Sequence, residues 1–181
     1  MWIILIVVLV LLVLYVVKTY NSLVVSRNKV RDQFSQIDVQ LKKRFDLIPN
    51  LVETVKGYAK DESETLESVI QARNNYANAK TDAEKLEASN EMSRGVMNIM
   101  ALAESYPDLK ANTNFVDLQN QLKDVEEKIS YARQFYNDSV LMYNNKVEMV
   151  PSNIVASIFG FKKESFFEAD EKERENVKVK F

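Results

Sequence analysis

The segment Trp2–Val17 reads WIILIVVLVLLVLYVV, an uninterrupted apolar run that ends at Lys18. A bilayer core about 30 Å thick takes about 20 apolar residues of helix, with roughly 17 as the lower limit. The run is therefore short, but the Lys18 ammonium can extend outward, and the Trp2 and Tyr20 rings suit the two interfaces. We predict that residues 1–20 form a transmembrane anchor.

A cleaved signal peptide is the main alternative to an anchor. Signal peptides begin with a basic stretch and end at a small-x-small cleavage site. Only Met1 precedes the run, and Lys18, Thr19, Tyr20 and Asn21 follow it, so neither feature is present. A buried core helix is a second alternative, but no other segment is apolar enough to surround one. We therefore expect the anchor to be retained.

Positive charge lies on one side of the run. Lys18, Arg27, Lys29 and Arg31 follow it closely, and no charged side chain precedes it. Because Lys and Arg near a span favour the cytoplasmic side, we expect the N-terminus outside and the remaining chain in the cytoplasm. The expected location is the cell membrane, crossed once.

Composition limits the function classes. The chain has 181 residues, with 24 Lys and Arg against 26 Asp and Glu, and only three Gly and three Pro, which favours long helices over strands. A net charge of −2 does not indicate nucleic-acid binding, which calls for a clearly basic domain. There is no Cys and no His, so thiolate chemistry, zinc sites and Ser-His-Asp triads are excluded. We expect no enzyme activity, no metal and no cofactor.

Apolar residues after the anchor recur every three or four positions, as on one face of an amphipathic helix. The first such stripe lies on a helix predicted at about 25–59 and comprises Val30, Phe34, Ile37, Leu41, Phe45, Ile48, Val52, Val55 and Ala59. Pro49 lies inside it and predicts a kink or a short break, because its ring clashes with the Phe45 carbonyl. The last stripe, at about 115–149, comprises Phe115, Leu118, Leu122, Val125, Ile129, Ala132, Tyr136, Ser139, Tyr143 and Lys146.

Capping signals divide the segment between these two helices. Asp61 with Glu64 resembles a capping box and predicts a helix at about 61–79, whereas Thr81 with Glu84 is a full capping box that opens a helix at about 82–105. Asn114 is the predicted N-cap of the last helix.

These elements predict an all-α fold in which the transmembrane helix precedes an antiparallel up-and-down four-helix bundle over 21–150. The alternative is one unbroken helix through residue 79. Residues 151–167 form an amphipathic segment that either caps the bundle or touches the bilayer. Residues 168–181 alternate acid and base, and we predict a mobile charged tail.

Two segments and one spaced motif resemble the LemA family. The segments are VQLKKRFDLIPNLVETVKGYA at Val39–Ala59 and LAESYPDLKANTNF at Leu102–Phe115, and the motif is Arg133-x-x-Tyr136-Asn137 followed by Tyr143-Asn144. The resemblance extends over nearly the whole chain. It implies a bacterial membrane protein with an antiparallel four-helix bundle and no established molecular activity. One family variant begins with a lipoprotein signal, from which this chain departs because it has no Cys.

Two sets of residues are candidates for interaction or for a polar network. Asp38, Lys42, Asp46 and Asn50 are spaced four apart and form a ladder on one helix face. This ladder is either a solvated edge or a network between helices. Tyr136 and Tyr143 repeat one heptad apart, with Arg133 preceding them, and serve either in packing or in a ligand-binding face.

We expect a non-enzymatic, membrane-anchored interaction or scaffold module. Its partners are the membrane, an unidentified protein or another copy of the chain, and not nucleic acid. The alternative is a ligand-binding sensor domain outside the membrane.

Overall fold

The computed structural model of the protein describes residues 1–167, and its first helix is the longest. Helix α1 (Trp2–Lys56) contains both the apolar run and the first amphipathic stripe. It continues through Pro49, so the short break that this residue predicts is absent. Within residues 1–167, α1 is the one helix long and apolar enough to cross a membrane.

Within the described residues, five further helices follow α1. They are α2 (Ser63–Asn78), α3 (Asp82–Ala103), α4 (Pro107–Lys110), α5 (Thr113–Glu148) and α6 (Ser152–Ile158). The described part of the chain contains no strand, which confirms the all-α prediction. Because α1 ends at Lys56 and α2 begins at Ser63, the unbroken helix through residue 79 is wrong.

The helix starts agree with the capping prediction in one case of three. The Thr81 hydroxyl accepts from the Glu84 amide and the Glu84 carboxylate accepts from the Thr81 amide, which confirms the capping box. Helix α2 begins after Glu62 with no side-chain cap, so the predicted Asp61 start is wrong. Helix α5 is capped by Asn112, whose Oδ1 accepts from the Phe115 amide at 3.0 Å, and not by Asn114.

The two amphipathic stripes are buried nearly as predicted. Every residue of the first stripe is buried except Phe45, which is half-buried, although α1 ends at Lys56, three residues before Ala59. On α5 the stripe is buried from Phe115 to Tyr143 apart from a half-buried Ala132, and Lys146 is also half-buried. Helical periodicity therefore identified most of the core of both long helices.

The chain divides into two compact units, which are described separately below. The first unit comprises Met1–Ile37 with Ala132–Phe166, and the second contains Asp38–Tyr131. The domain boundaries predicted at residues 20 and 150 stay predictions. The tail predicted at 168–181 lies outside the described residues.

In the second unit, α2 and α3 pack together as a hairpin. The Asn75 amide donates to the Glu91 carboxylate at 2.8 Å, and a Cβ on Gly95 would lie 2.7 Å from Cγ2 of Val69. Glycine is needed at position 95 because the two helix backbones approach closely there. The full up-and-down four-helix arrangement stays a prediction.

Candidate functional site

A buried arginine is at the centre of the polar network of the second unit. The Arg44 side chain is 0% exposed. Its Nη1 donates to Oε1 of Glu126 at 2.6 Å and to the Ser93 hydroxyl. Its Nη2 donates to the Ser89 carbonyl at 2.8 Å and to the Ser89 hydroxyl at 2.6 Å. One guanidinium thus connects α1, α3 and α5.

Sequence reasoning missed this arginine, although a signal was present. Arg44 lies three residues after Leu41 and four before Ile48, which are both stripe residues, so helical spacing puts it at the edge of the buried face. Charged residues are almost never fully buried unless they are paired, so residue type by itself argues against the burial of Arg44. Its partners come from two other helices and have no fixed spacing from it.

A second network of this unit contains one residue of the predicted ladder. Oδ1 of Asp38 accepts from the Tyr76 hydroxyl at 3.0 Å and from the Lys85 ammonium at 3.1 Å, so it joins α1 to α2 and α3. Burial raises the pKa of Tyr76 above its ordinary value, and the hydrogen bond to Asp38 raises it further. Asp38 therefore lies in a network between helices.

The other ladder residues lie toward solvent. Lys42 and Asp46 form an ion pair at 2.7 Å with both side chains more than half exposed. Asn50 is also exposed. The four predicted ladder residues therefore have two different environments. Asp38 lies between helices, and the remaining three residues lie on a solvated edge.

An arginine of α2 compensates for the proline in α1. Pro49 has no amide hydrogen, so the Phe45 carbonyl lacks its partner four residues later. Nε of Arg73 donates to this carbonyl at 3.2 Å, and the Arg73 guanidinium lies 3.9 Å from the centroid of the Phe45 ring. The Arg73 side chain therefore supplies the hydrogen-bond donor that the Phe45 carbonyl lacks because of Pro49.

In the first unit, α5 holds a segment without regular secondary structure that we call the C-terminal strap, residues 161–166. The Tyr143 hydroxyl donates to the Lys162 carbonyl at 2.8 Å, and the Tyr136 hydroxyl donates to the Ser165 carbonyl at 2.9 Å. Asn144 bonds the Glu164 backbone twice, donating to its carbonyl and accepting from its amide, each at 2.9 Å. These four bonds all go to backbone atoms of the strap.

The two heptad-spaced tyrosines therefore share one role in the structure. Both rings are buried, and Tyr136 packs edge-to-face on Phe34 at 6.0 Å between centroids. Burial raises the pKa of Tyr143, and the nearby Glu164 carboxylate raises it further. Arg133 is half-buried one turn before Tyr136. The tyrosines combine packing with hydrogen bonds to the strap.

The same unit joins α6 to the beginning of the amphipathic part of α1. The Tyr20 ring lies 4.8 Å from that of Phe159 and 5.6 Å from that of Phe161, and the Arg27 guanidinium lies 5.0 Å from the Phe161 ring. On α5, the Lys146 ammonium donates to the hydroxyls of Ser22 and Ser26.

The described residues were also compared with the requirements of a metal site. Within residues 1–167, no group of three or more Asp or Glu side chains is placed to hold a metal ion. The second unit has two open clefts, one lined by Asn75, Lys80 and Glu84 and another by Asn50, Thr54 and Asp117. The predictions of no metal, no cofactor and no enzyme activity stay predictions.

Comparison with known proteins identifies the family. The LemA family model matches residues 33–181. The protein LemA of Metamycoplasma hominis is 28% identical over 160 residues, which cover 87% of this chain and 72% of that protein. The magnetosome protein MamQ 2 of Paramagnetospirillum magneticum is 30% identical over 70 residues, covering 39% of this chain and 26% of that protein. MamQ of Magnetospirillum gryphiswaldense is 30% identical over 69 residues, covering 38% and 25%. The family match extends over most of the chain, and the chain belongs to the LemA family.

Proposed function

We propose that this protein is a single-pass, membrane-anchored and non-enzymatic helical protein that acts as an interaction or scaffold module at the bacterial cell membrane. The observation that carries this proposal is the first part of α1. An 18-residue window there has a mean hydropathy of 2.8, and none of it is buried inside the structure. Water is a poor solvent for so large an apolar surface, and a bilayer core is a suitable one.

The chemistry of the remaining chain supports a scaffold over an enzyme. The buried Arg44 guanidinium bonds Glu126 through Nη1, and the buried Tyr143 hydroxyl bonds the Lys162 carbonyl, so these groups are engaged in holding helices and the strap. Helix α5 also presents Phe135, Leu141 and Met142 to solvent, each at least half exposed. Large apolar side chains exposed on one helix are typical of a protein interface.

We also propose that the helical domain faces the cytoplasm. The support is the positive charge that follows the apolar run, carried by Lys18, Arg27, Lys29 and Arg31.

Topology can be tested directly because the chain has no cysteine of its own. The Ser105→Cys variant places one thiol at an exposed position of the domain. In intact cells treated with a membrane-impermeant maleimide, we expect labelling only after lysis, and the cysteine-free chain is the background control. Labelling of intact cells overturns the cytoplasmic orientation and favours a ligand-binding sensor outside the membrane.

The scaffold role requires a stable association. We expect the full chain, solubilised in mild detergent, to have a mass above that of the monomer. For self-association through α5, a Phe135→Cys variant forms a disulfide-linked dimer in membranes, whereas Ser130→Cys, exposed on a different side of α5, does not. A monomer in mild detergent, with neither a cross-link nor a co-purifying protein, contradicts the proposal.

A further inference from the structure

The turn after α5, helix α6 and the residue that follows it carry a cluster of exposed apolar side chains. Each is more than half exposed, and we call them the 149–159 patch: Met149, Val150, Ile154, Ile158 and Phe159. Between them Val155 and Ala156 are buried. Helix α6 therefore packs through one face and presents Ile154 and Ile158, one turn apart, on another.

This patch lies beside the part of α1 that directly follows the apolar run. The Phe159 ring is 4.8 Å from the Tyr20 ring, and Tyr20 is three residues past Val17. The Lys146 ammonium bonds the hydroxyls of Ser22 and Ser26 at 2.8 and 2.6 Å, which holds the end of α5 against the same turns of α1.

Helix geometry gives the depth at which Tyr20 and Phe159 lie relative to a membrane. The 16 residues of Trp2–Val17 span about 24 Å at 1.5 Å per residue, whereas a bilayer core is about 30 Å thick. The missing distance of about 6 Å corresponds to about four more residues of α1. The boundary between acyl chains and headgroups therefore falls near Tyr20, where Phe159 is.

We propose that the 149–159 patch inserts into the headgroup boundary of the bilayer that α1 enters, as an interfacial segment. The inference rests on the membrane anchoring proposed above. The bilayer is the occupant because the patch is continuous with the span, through the contact of Phe159 with Tyr20. The exposed Lys162 and Lys163 follow three and four residues after Phe159, and lysine near aromatic and aliphatic side chains suits this boundary.

A tight turn returns the chain from the patch to the strap. Gly160 has φ +71°, in the left-handed region that favours glycine, and a Cβ there would have nothing within 4 Å. The turn directs the chain from the exposed Phe159 to the buried Phe161. The exposed ring is thus left at the boundary, and the next aromatic residue returns to the protein.

Lipid contact can be measured on the full chain in vesicles of phosphatidylcholine and phosphatidylglycerol. Single cysteines at Ile158, Leu11 and Leu141 carry an environment-sensitive fluorophore, and spin-labelled lipids quench it on contact. Leu11 lies in the anchor, and Leu141 is an exposed apolar residue of α5 about 12 Å along the helix from Met149. We expect quenching at the Ile158→Cys probe comparable with that at Leu11→Cys and several-fold greater than at Leu141→Cys.

The outcomes separate this inference from the anchoring itself. Quenching at Leu11 without quenching at Ile158 overturns the inference and leaves the anchor intact. No quenching at Leu11 overturns the anchor and the inference together. A disulfide-linked dimer formed through Ile158→Cys, without lipid quenching, assigns the patch to a second copy of the chain and also overturns the inference.

Discussion

The Nη1 atom of Arg44 lies 2.6 Å from Oε1 of Glu126, and the Arg44 side chain is 0% exposed whereas that of Glu126 is 35% exposed. A buried guanidinium has lost its water, so its five donors depend on protein acceptors. Glu126 supplies the negative charge, and Ser89 and Ser93 supply neutral acceptors. Removing one partner leaves the charge buried and incompletely paired, which costs more than the pair itself contributes.

Glu126→Ala therefore destabilises the protein. We expect the free energy of unfolding to fall by about 2 kcal/mol, below the 3–5 kcal/mol typical of fully buried pairs, because water reaches Glu126. Urea unfolding of the full chain in detergent measures it. Replacing both partners, as Arg44→Met with Glu126→Gln, recovers part of the loss. The control is Lys42→Met, which breaks an exposed ion pair and should cost less than about 0.5 kcal/mol. If Glu126→Ala and Lys42→Met lower the free energy of unfolding equally, burial does not have the role described here.

Gly95 and Val69 define the closest approach of α2 and α3. A Cβ at position 95 would lie 2.7 Å from Cγ2 and 3.3 Å from Cα of Val69, so the helices must move apart. Although alanine is the better helix former by about 1 kcal/mol, we expect Gly95→Ala to lower stability by about 1–3 kcal/mol. Gly57→Ala, which meets only the Thr54 carbonyl at 3.4 Å, is the matched control. If Val69→Ala does not restore part of the loss, the steric explanation is wrong.

Tyr76 makes stability depend on alkaline pH. Burial and the Asp38 hydrogen bond raise the pKa of Tyr76 in the folded protein above about 10, its value in the unfolded chain. The stabilisation from its protonated hydroxyl is complete below about pH 10 and is lost as the pH rises above it, because the unfolded chain then binds fewer protons. Between about pH 9.5 and pH 11, we expect the wild type to lose about 1 kcal/mol more than Tyr76→Phe in urea unfolding. Parallel pH profiles would refute this.

The features that could be predicted from sequence were those encoded by local spacing. The α1 and α5 stripes repeat every three or four residues, and the Thr81–Glu84 capping box lies within a single turn. The spacing of Arg44 from Leu41 and Ile48 puts it at the edge of the buried face, but its partners could not be identified because they come from α3 and α5, at no fixed distance along the chain. The strap could not be predicted either, since Tyr143 and Asn144 bond its backbone, which has no sequence signature.

Asn144 and the Glu164 backbone form the double contact that fixes the strap. Asn144→Ala removes both bonds and leaves the Glu164 amide and carbonyl without these partners, at a cost of about 1–3 kcal/mol. The strap then opens more often, and we expect trypsin to cleave after Lys162 and Lys163 about ten-fold faster. Asn145→Ala, at the exposed neighbouring position, leaves the rate of cleavage unchanged. Equal rates in the two variants would contradict the assignment.

Arg73 and Pro49 act on the same backbone atom, the Phe45 carbonyl, and their substitutions should not be additive. Arg73→Lys removes the Nε donor and the planar group over the Phe45 ring, and we expect it to cost about 1–2 kcal/mol. Pro49→Ala restores an amide hydrogen within helical reach of that carbonyl. In the Pro49→Ala background, Arg73→Lys therefore costs about 1 kcal/mol less than in the wild type. A double-mutant cycle in urea measures the difference, and a coupling of zero would mean that Arg73 does not compensate for the proline.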